Sequence, residues 1–163
     1  MADNPYLVGP GAGRAVQLHD LQVVHKVDGD QVGGALSIVE HVIQPLVLVK
    51  PHRHANEDEI SIVLSGSIWA RVGALEFEAP AGSYLVKPRG LPHAIWNLGP
   101  EPSKVAEIVC PSGFERYFDE IEPVLRGRGP EFDEQFYAIA QRYAIVPEDE
   151  WSTELQKKYG IHL

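Results

Sequence analysis

The chain has 163 residues, the length of one domain, and 44% of them are hydrophobic, so it can bury a core of ordinary size. Its formal net charge of −9 would repel a phosphate backbone, which argues against a nucleic-acid-binding protein. No apolar run approaches the ~20 residues that cross a bilayer, and the N-terminus lacks the pattern of a signal peptide. The single cysteine, Cys110, cannot form an intramolecular disulfide. We therefore expect a cytoplasmic protein that binds neither nucleic acid nor membrane.

Short β-type segments separated by glycine and proline turns fill most of the chain. Residues 1–14 are rich in glycine and proline, and we expect them to form a flexible N-terminal arm. Many short strands at even spacing, with no internal repeat, indicate one sandwich or barrel over residues 15–111. The predicted strands cover residues 21–27, 36–43, 46–54, 59–65, 68–72, 75–78, 84–87, 93–98 and 104–110.

The pattern changes to helical spacing after the strand region. Apolar side chains recur every three or four positions, beginning at Phe114 and again at Phe132. A third helix is predicted between Pro147 and Gly160. We expect residues 112–163 to form an α-helical extension that covers apolar outer surface of the barrel. A DNA-binding helix-turn-helix is disfavoured because the basic footprint of such a domain is missing.

Four side chains in the strand region make a candidate metal site. His52 and His54 are one residue apart in a predicted strand, so both imidazoles point to the same face. Glu59 begins the next strand and can return to the same point. His93 begins a later strand, after a turn that contains proline and glycine. Imidazoles together with a carboxylate favour a transition metal rather than calcium.

Two stretches of the sequence resemble the signature motifs of the cupin superfamily. The first motif, G-x5-H-x-H-x4-E-x6-G, is matched by His52, His54, Glu59 and Gly66, although Leu46 stands at its leading glycine. The second, G-x5-P-x-G-x2-H-x3-N, is matched in full by Gly82, Pro88, Gly90, His93 and Asn97. The segments VLVKPHRHANEDE, YLVKPRGLPHAIWN and SGFERYFDEI are similar to those of small single-domain cupins described as quercetin 2,3-dioxygenase-like.

This resemblance implies a mainly β fold: a single jelly-roll (double-stranded β-helix) cupin barrel with the C-terminal α-helical extension. It also implies a homodimer and one divalent transition metal per chain, which would be iron, manganese, nickel, cobalt or zinc. The metal ligands that it implies are His52, His54, Glu59 and His93. The activity that it implies is a dioxygenase for an aromatic or enolisable small molecule, in which Glu59 accepts a substrate proton.

The residues leave other functions open. The same metal set suits a cupin isomerase of a sugar or keto acid, and it suits a non-catalytic protein that binds a small molecule through its metal. The remaining histidines have no motif partners, and we expect surface or packing roles for His19, His25, His41 and His162. Glu57 and Asp58 are expected to be solvated loop carboxylates. Structural rather than catalytic roles are expected for Trp69, Arg71, Tyr84 and Arg89.

Overall fold

The computed structural model describes residues 4–127 and 129–163. Within these ranges, eleven strands and three α-helices follow one another along the chain. The strands are β1 (Arg14–Leu18), β2 (Leu21–Val27), β3 (Ser37–Ile43), β4 (Leu48–His54), β5 (Asp58–Ser65), β6 (Ser67–Val72), β7 (Leu75–Pro80), β8 (Tyr84–Lys87), β9 (His93–Trp96), β10 (Ser103–Cys110) and β11 (Ile145–Pro147). The helices are α1 (Arg116–Gly127), α2 (Phe132–Arg142) and α3 (Asp149–Tyr159).

The strands form two antiparallel sheets. One sheet has the strand order β1-β2-β3-β10-β5-β8, and the other has the order β11-β4-β9-β6-β7. Alternate residues of β3 and β10 are buried, so that Val39, Ile43, Val105 and Val109 enter the core between half-buried neighbours. The predicted fold, a mainly β jelly-roll barrel with a C-terminal helical extension, is confirmed.

The predicted strands coincide with β2 to β10, and their ends differ by at most two residues. β1 and β11 were not predicted. β11 has only three residues and β1 only five, so neither shows a clear alternation of apolar and polar side chains. Both are edge strands that pair antiparallel, β1 with β2 and β11 with β4. Of the expected N-terminal arm, residues 1–3 lie outside the described residues, and residues 4–13 contain no strand or helix.

Leu46, at the position of the first motif's leading glycine, has a backbone conformation that suits glycine. Its φ is 63°, in the left-handed region where side chains are strained. The amide of Leu46 donates a hydrogen bond to the carbonyl oxygen of Asn97 (2.8 Å), and its own carbonyl accepts one from the amide of His162 (2.9 Å). These two bonds hold the chain in the turn that precedes β4.

The three helices contact different parts of the sheets. α1 packs against β1 and α2, α2 packs against β11, and α3 packs against β4. Leu155 of α3 is fully buried in a small apolar cluster that includes Leu48 and Trp96. Phe118 and Ile121 of α1 belong to the main core instead. No helix within the described ranges is long and apolar enough to cross a membrane.

Candidate metal centre

Three strands bring the four predicted ligand side chains together. β4 carries His52 and His54, and β9 pairs with β4 so that His93 stands opposite His52. Glu59 lies on β5 in the other sheet, and the short connection 55–57 leads from one sheet to the other. One ligand atom from each of these side chains lies within 4.8 Å of the others, so the group can hold a metal ion.

Backbone carbonyl groups orient two of the imidazole rings. Nδ1 of His52 lies 2.6 Å from the carbonyl oxygen of Lys50, and Nδ1 of His93 lies 3.1 Å from that of Leu91. Because each Nδ1 faces an acceptor, each ring carries its proton there and presents the lone pair of Nε2 to the centre. Burial lowers the pKa of both His52 and His93, which favours the neutral imidazole that binds metals.

The carboxylate of Glu57 lies beside the third ring, that of His54. Its Oε2 lies 3.4 Å from Nδ1 of His54, and the residue is only 9% exposed. The expectation that Glu57 is a solvated loop carboxylate is therefore wrong, because the turn folds its side chain back towards β4. Asp58 behaves as expected: its half-exposed carboxylate pairs with Arg89 at the surface.

The atoms at the centre fit a divalent cation. Nε2 of His52 lies 3.1 Å from Nε2 of His54, which brings two lone pairs face to face. Nε2 of His93 lies 3.1 Å from Oε2 of Glu59, and this buried nitrogen has no hydrogen-bond partner among the described residues. Two nitrogens bound at right angles to one metal are about 3 Å apart, because each bond is about 2.1 Å long. A transition metal would therefore satisfy these facing acceptors.

A buried lysine lies beside the carboxylate of this group. β5 pairs with β8 so that Glu59 faces Lys87, whose Nζ lies 2.9 Å from Oε2 of Glu59 and 2.9 Å from Oε2 of Glu107. Burial disfavours the charged form of Glu59, but the ammonium of Lys87 outweighs it and holds the pKa of Glu59 well below its usual range. Burial also raises the pKa of Glu107, to about 7, although Lys87 opposes the shift. Of the two carboxylates beside Lys87, Glu59 is thus the one that stays ionised at neutral pH.

The strand region resembles a known family in sequence. Residues 40–109, which include all four side chains of the candidate metal group, match the sequence profile described as "Cupin domain". The match spans less than half of the chain and shows that its strand region is similar to a cupin domain. Among curated proteins, none matches the chain.

Solved structures resemble the strand region and its surroundings in fold. KdgF from Halomonas sp. is 18% identical with a TM-score of 0.56, over 63% of this chain and 89% of its own. The cupin domain of Schizosaccharomyces pombe Cnp3 is 16% identical with a TM-score of 0.55, over 66% and 75%. A sugar phosphate isomerase of the cupin superfamily from Silicibacter pomeroyi is 18% identical with a TM-score of 0.51, over 57% and 60%. At such identities the likeness concerns the fold.

A cavity of about 540 Å³ reaches the metal group. His52 and Glu59 form part of its wall, and most of its surface is apolar. Side chains of α1 and α2, and of the segment before α1, supply much of that surface: Phe114, Tyr117, Phe118, Ile121, Leu125, Phe132 and Phe136. Besides packing on the sheets, α1 and α2 therefore line a cavity, which was not predicted. Helical spacing identifies an apolar face but does not say what that face contacts.

Several side chains singled out from the sequence lie away from this cavity. Tyr84 is 71% exposed, and Arg89 pairs with Asp58. Arg71 pairs with Glu154 of α3. These positions agree with the structural roles expected for them.

Asn97, the last position of the second motif, also has a structural role. Its Nδ2 donates to the carbonyl oxygens of Ile43 (3.0 Å) and Glu101 (2.8 Å), and its Oδ1 accepts from the amide of Gly99 (2.7 Å). The fully buried amide thereby fixes the loop that follows β9, the strand of His93.

His41 is the site residue that the sequence analysis missed. It lies on β3, is 4% exposed, and lines the cavity together with His52 and Glu59. The alternation of β3 was the available signal, since His41 shares the inward face with Val39 and Ile43. The burial of His41 agrees with the packing role expected for it. That role does not explain why the side chain lies in the cavity wall.

Proposed function

We propose that this chain binds one divalent transition metal through His52, His54, Glu59 and His93 and acts as a dioxygenase on an aromatic or enolisable small molecule. The observation that carries the proposal is the largely apolar cavity, with several aromatic side chains in its wall, that reaches two of these side chains, His52 and Glu59. Iron, manganese, nickel and cobalt suit both the ligand set and this chemistry, and zinc suits the ligand set.

The lining of the cavity supports an aromatic substrate. Phe114, Phe118 and Phe136 offer flat apolar surface, which favours a planar ring through burial and aromatic contacts. A sugar would need many hydrogen-bond partners, because each of its hydroxyl groups loses water on entry. Outside the metal group, the described wall includes His19, His41, Lys50 and Asp133, but apolar surface predominates, so the isomerase alternative for a sugar has less support.

Glu59 is the residue to which we assign proton transfer. When bound, the metal supplies Lewis acidity and a route for electrons between an organic anion and dioxygen. Lys87 holds the pKa of Glu59 well below its usual range despite burial, so the carboxylate is in its basic form at neutral pH. It can then accept a proton from a substrate hydroxyl in the cavity. The apolar wall formed with α1 and α2 excludes water from this step.

Oxygen uptake tests the proposal. Chain loaded in turn with Fe²⁺, Mn²⁺, Ni²⁺ and Co²⁺ is supplied with a panel of flavonols and catechols while dissolved oxygen is recorded. We expect uptake with at least one pair of metal and substrate, and little uptake by Glu59→Gln. His162→Ala serves as the control, because that side chain is about half exposed and outside the metal group. Binding of these compounds without oxygen uptake would instead indicate a non-catalytic binding protein.

A further inference from the structure

His41 is a buried imidazole whose ring atoms lack partners. Neither Nδ1 nor Nε2 has a hydrogen-bond partner among the described residues, although the residue is 4% exposed. The nearest charged group is Glu107, whose Oε1 lies 3.9 Å from Nδ1, beyond hydrogen-bond distance. A buried polar group left unpaired costs free energy, so such a group in a cavity wall points to a ligand.

The neighbouring buried side chains Ser61 and Lys87 have hydrogen-bond partners, whereas Oε1 of Glu107 and Nε2 of His25 lack one within the described ranges, as the ring of His41 does. Ser61 donates to Glu107 (2.8 Å), and Lys87 donates to the same carboxylate (2.9 Å). His25, on the adjacent strand β2, lies with Nδ1 3.3 Å from Oδ1 of Asp28. His25 and His41 both approach the ring of Phe118 edge-on, with centroids 6.4 Å and 5.7 Å away. Only His41 of this pair lines the cavity.

The surroundings of His41 indicate what its ring offers to a ligand. Burial lowers the pKa of His41 to about 4, so the ring is neutral and has one donor and one acceptor nitrogen. Of the two ring nitrogens, Nδ1 is the one that lies 3.9 Å from Oε1 of Glu107. A carboxylate oxygen on that side favours the tautomer with the proton on Nδ1. Nε2 is then the acceptor that remains for a group in the cavity.

We propose that His41 is a substrate-contacting residue that accepts a hydrogen bond from a hydroxyl group of the aromatic ligand. The assignment rests on the proposed function, because it takes the aromatic ligand class from the cavity. It adds a polar contact separate from the metal group, and it makes the cavity selective for hydroxylated rings over unsubstituted rings of the same shape.

Paired probes test this assignment without turnover. 2-Naphthol and naphthalene differ by one hydroxyl, and the affinity of the full chain for each is measured by fluorescence in both Zn²⁺-loaded and chelator-treated protein. We expect 2-naphthol to bind about 5-fold tighter than naphthalene, the effect of one buried hydrogen bond. 2-Naphthol also loses its proton to an adjacent base on excitation, so naphtholate emission from the bound probe reports contact with an acceptor.

Variants distinguish the contribution of His41 from that of Glu59, the other base in the cavity. We expect His41→Phe to lose both the hydroxyl preference and the naphtholate emission, and His41→Gln, which keeps an acceptor, to recover part of the preference. His25→Gln is the matched control and should bind as the wild type does. Loss of both signals in Glu59→Gln with retention in His41→Phe would overturn the assignment, as would a wild type without hydroxyl preference.

A second measurement covers the case in which His41→Phe does not fold. The ¹⁵N chemical shift of His41 Nε2 in the wild type should move on addition of 2-naphthol and stay unchanged with naphthalene. An equal response to both probes would overturn the assignment. The outcome is independent of oxygen uptake: a chain that consumes no dioxygen but shows the hydroxyl preference contradicts the proposed dioxygenase and supports the role of His41.

Discussion

Lys87 Nζ lies 2.9 Å from Oε2 of Glu59, in the interior of the barrel. The same ammonium lies 2.9 Å from Glu107, so one buried cation serves two buried carboxylates. Burial raises the pKa of Glu107 to about 7, and the nearby charge of Glu59 adds to this shift. Oε2 of Glu59 also faces His93, so a divalent ion at the metal group would bring a second positive charge to Glu59.

Replacing Lys87 should therefore destabilise the fold. Lys87→Met leaves two carboxylates without their cation, and breaking a buried ion pair costs about 3–5 kcal/mol. Urea unfolding measures the loss. Lys158→Met is the control, because that lysine makes a half-exposed pair with Glu76 and its replacement should cost far less. Removing Glu107 as well, in Lys87→Met/Glu107→Gln, should recover part of the loss. Equal costs for the two single variants would contradict the account.

Leu46→Gly should stabilise the protein. A side chain in the left-handed region costs about 1–2 kcal/mol, and Leu46 is 45% exposed, so little packing is lost with it. The greater freedom of glycine in the unfolded chain offsets part of the gain, which leaves about 0.5–1 kcal/mol. Leu46→Ala is the control, because alanine keeps the strain. The explanation fails if the glycine variant unfolds at a lower urea concentration than the alanine variant.

Most of the fold and the members of the metal group could be predicted from the sequence. The two predictions rested on different signals. The strands β2 to β10 follow from alternation and turn residues, which are local signals. His52, His54, Glu59 and His93 follow from strand parity and motif spacing. The cavity wall could not be predicted, because it depends on how α1 and α2 lie against the sheets. The homodimer stays a prediction.

Several contacts around the metal group could not be predicted from the sequence either. Lys87 lies at the end of β8, inside the second motif, but its contact with Glu107 arises from the pairing order β8-β5-β10, which links residues far apart in the chain. Glu57 lies in a polar turn and carries no sequence sign of its approach to His54. His41 requires both the inward face of β3 and a cavity beside it. Each depends on tertiary packing rather than local pattern.

The stability of the wild type should fall in acid more steeply than that of His41→Phe. The pKa of His41 is lowered from 6.5 to about 4 in the fold, so between these values the unfolded chain binds a proton that the folded chain does not. Stability from this group is present above pH 6.5 and is lost as the pH falls towards 4. From pH 7 to pH 5 the wild type should lose about 2 kcal/mol more than the variant.

Urea unfolding of both proteins at the two pH values, in chelator, checks this prediction. The other buried histidines contribute equally to both proteins and cancel in the difference. Parallel losses in the wild type and His41→Phe would show that His41 does not titrate as described.

Filling the cavity should block ligands without affecting the metal. Leu125 of α1 lines the cavity, and Leu125→Trp places a large ring in it. We expect binding of naphthalene to be lost, because the apolar volume is occupied, while metal content stays at the level of the wild type. Arg126→Trp is the matched control, since the neighbouring side chain is 77% exposed. Unchanged naphthalene binding by Leu125→Trp would place the ligand site elsewhere.

The metal content of the purified chain tests the central claim most directly. After incubation with Ni²⁺ or Zn²⁺ and removal of unbound ion, elemental analysis should find one metal per chain in the wild type and in His162→Ala, and little in His54→Ala or His93→Ala. A wild type that retains no metal, or a His93→Ala chain that retains as much as the wild type, would contradict a metal centre at these four side chains.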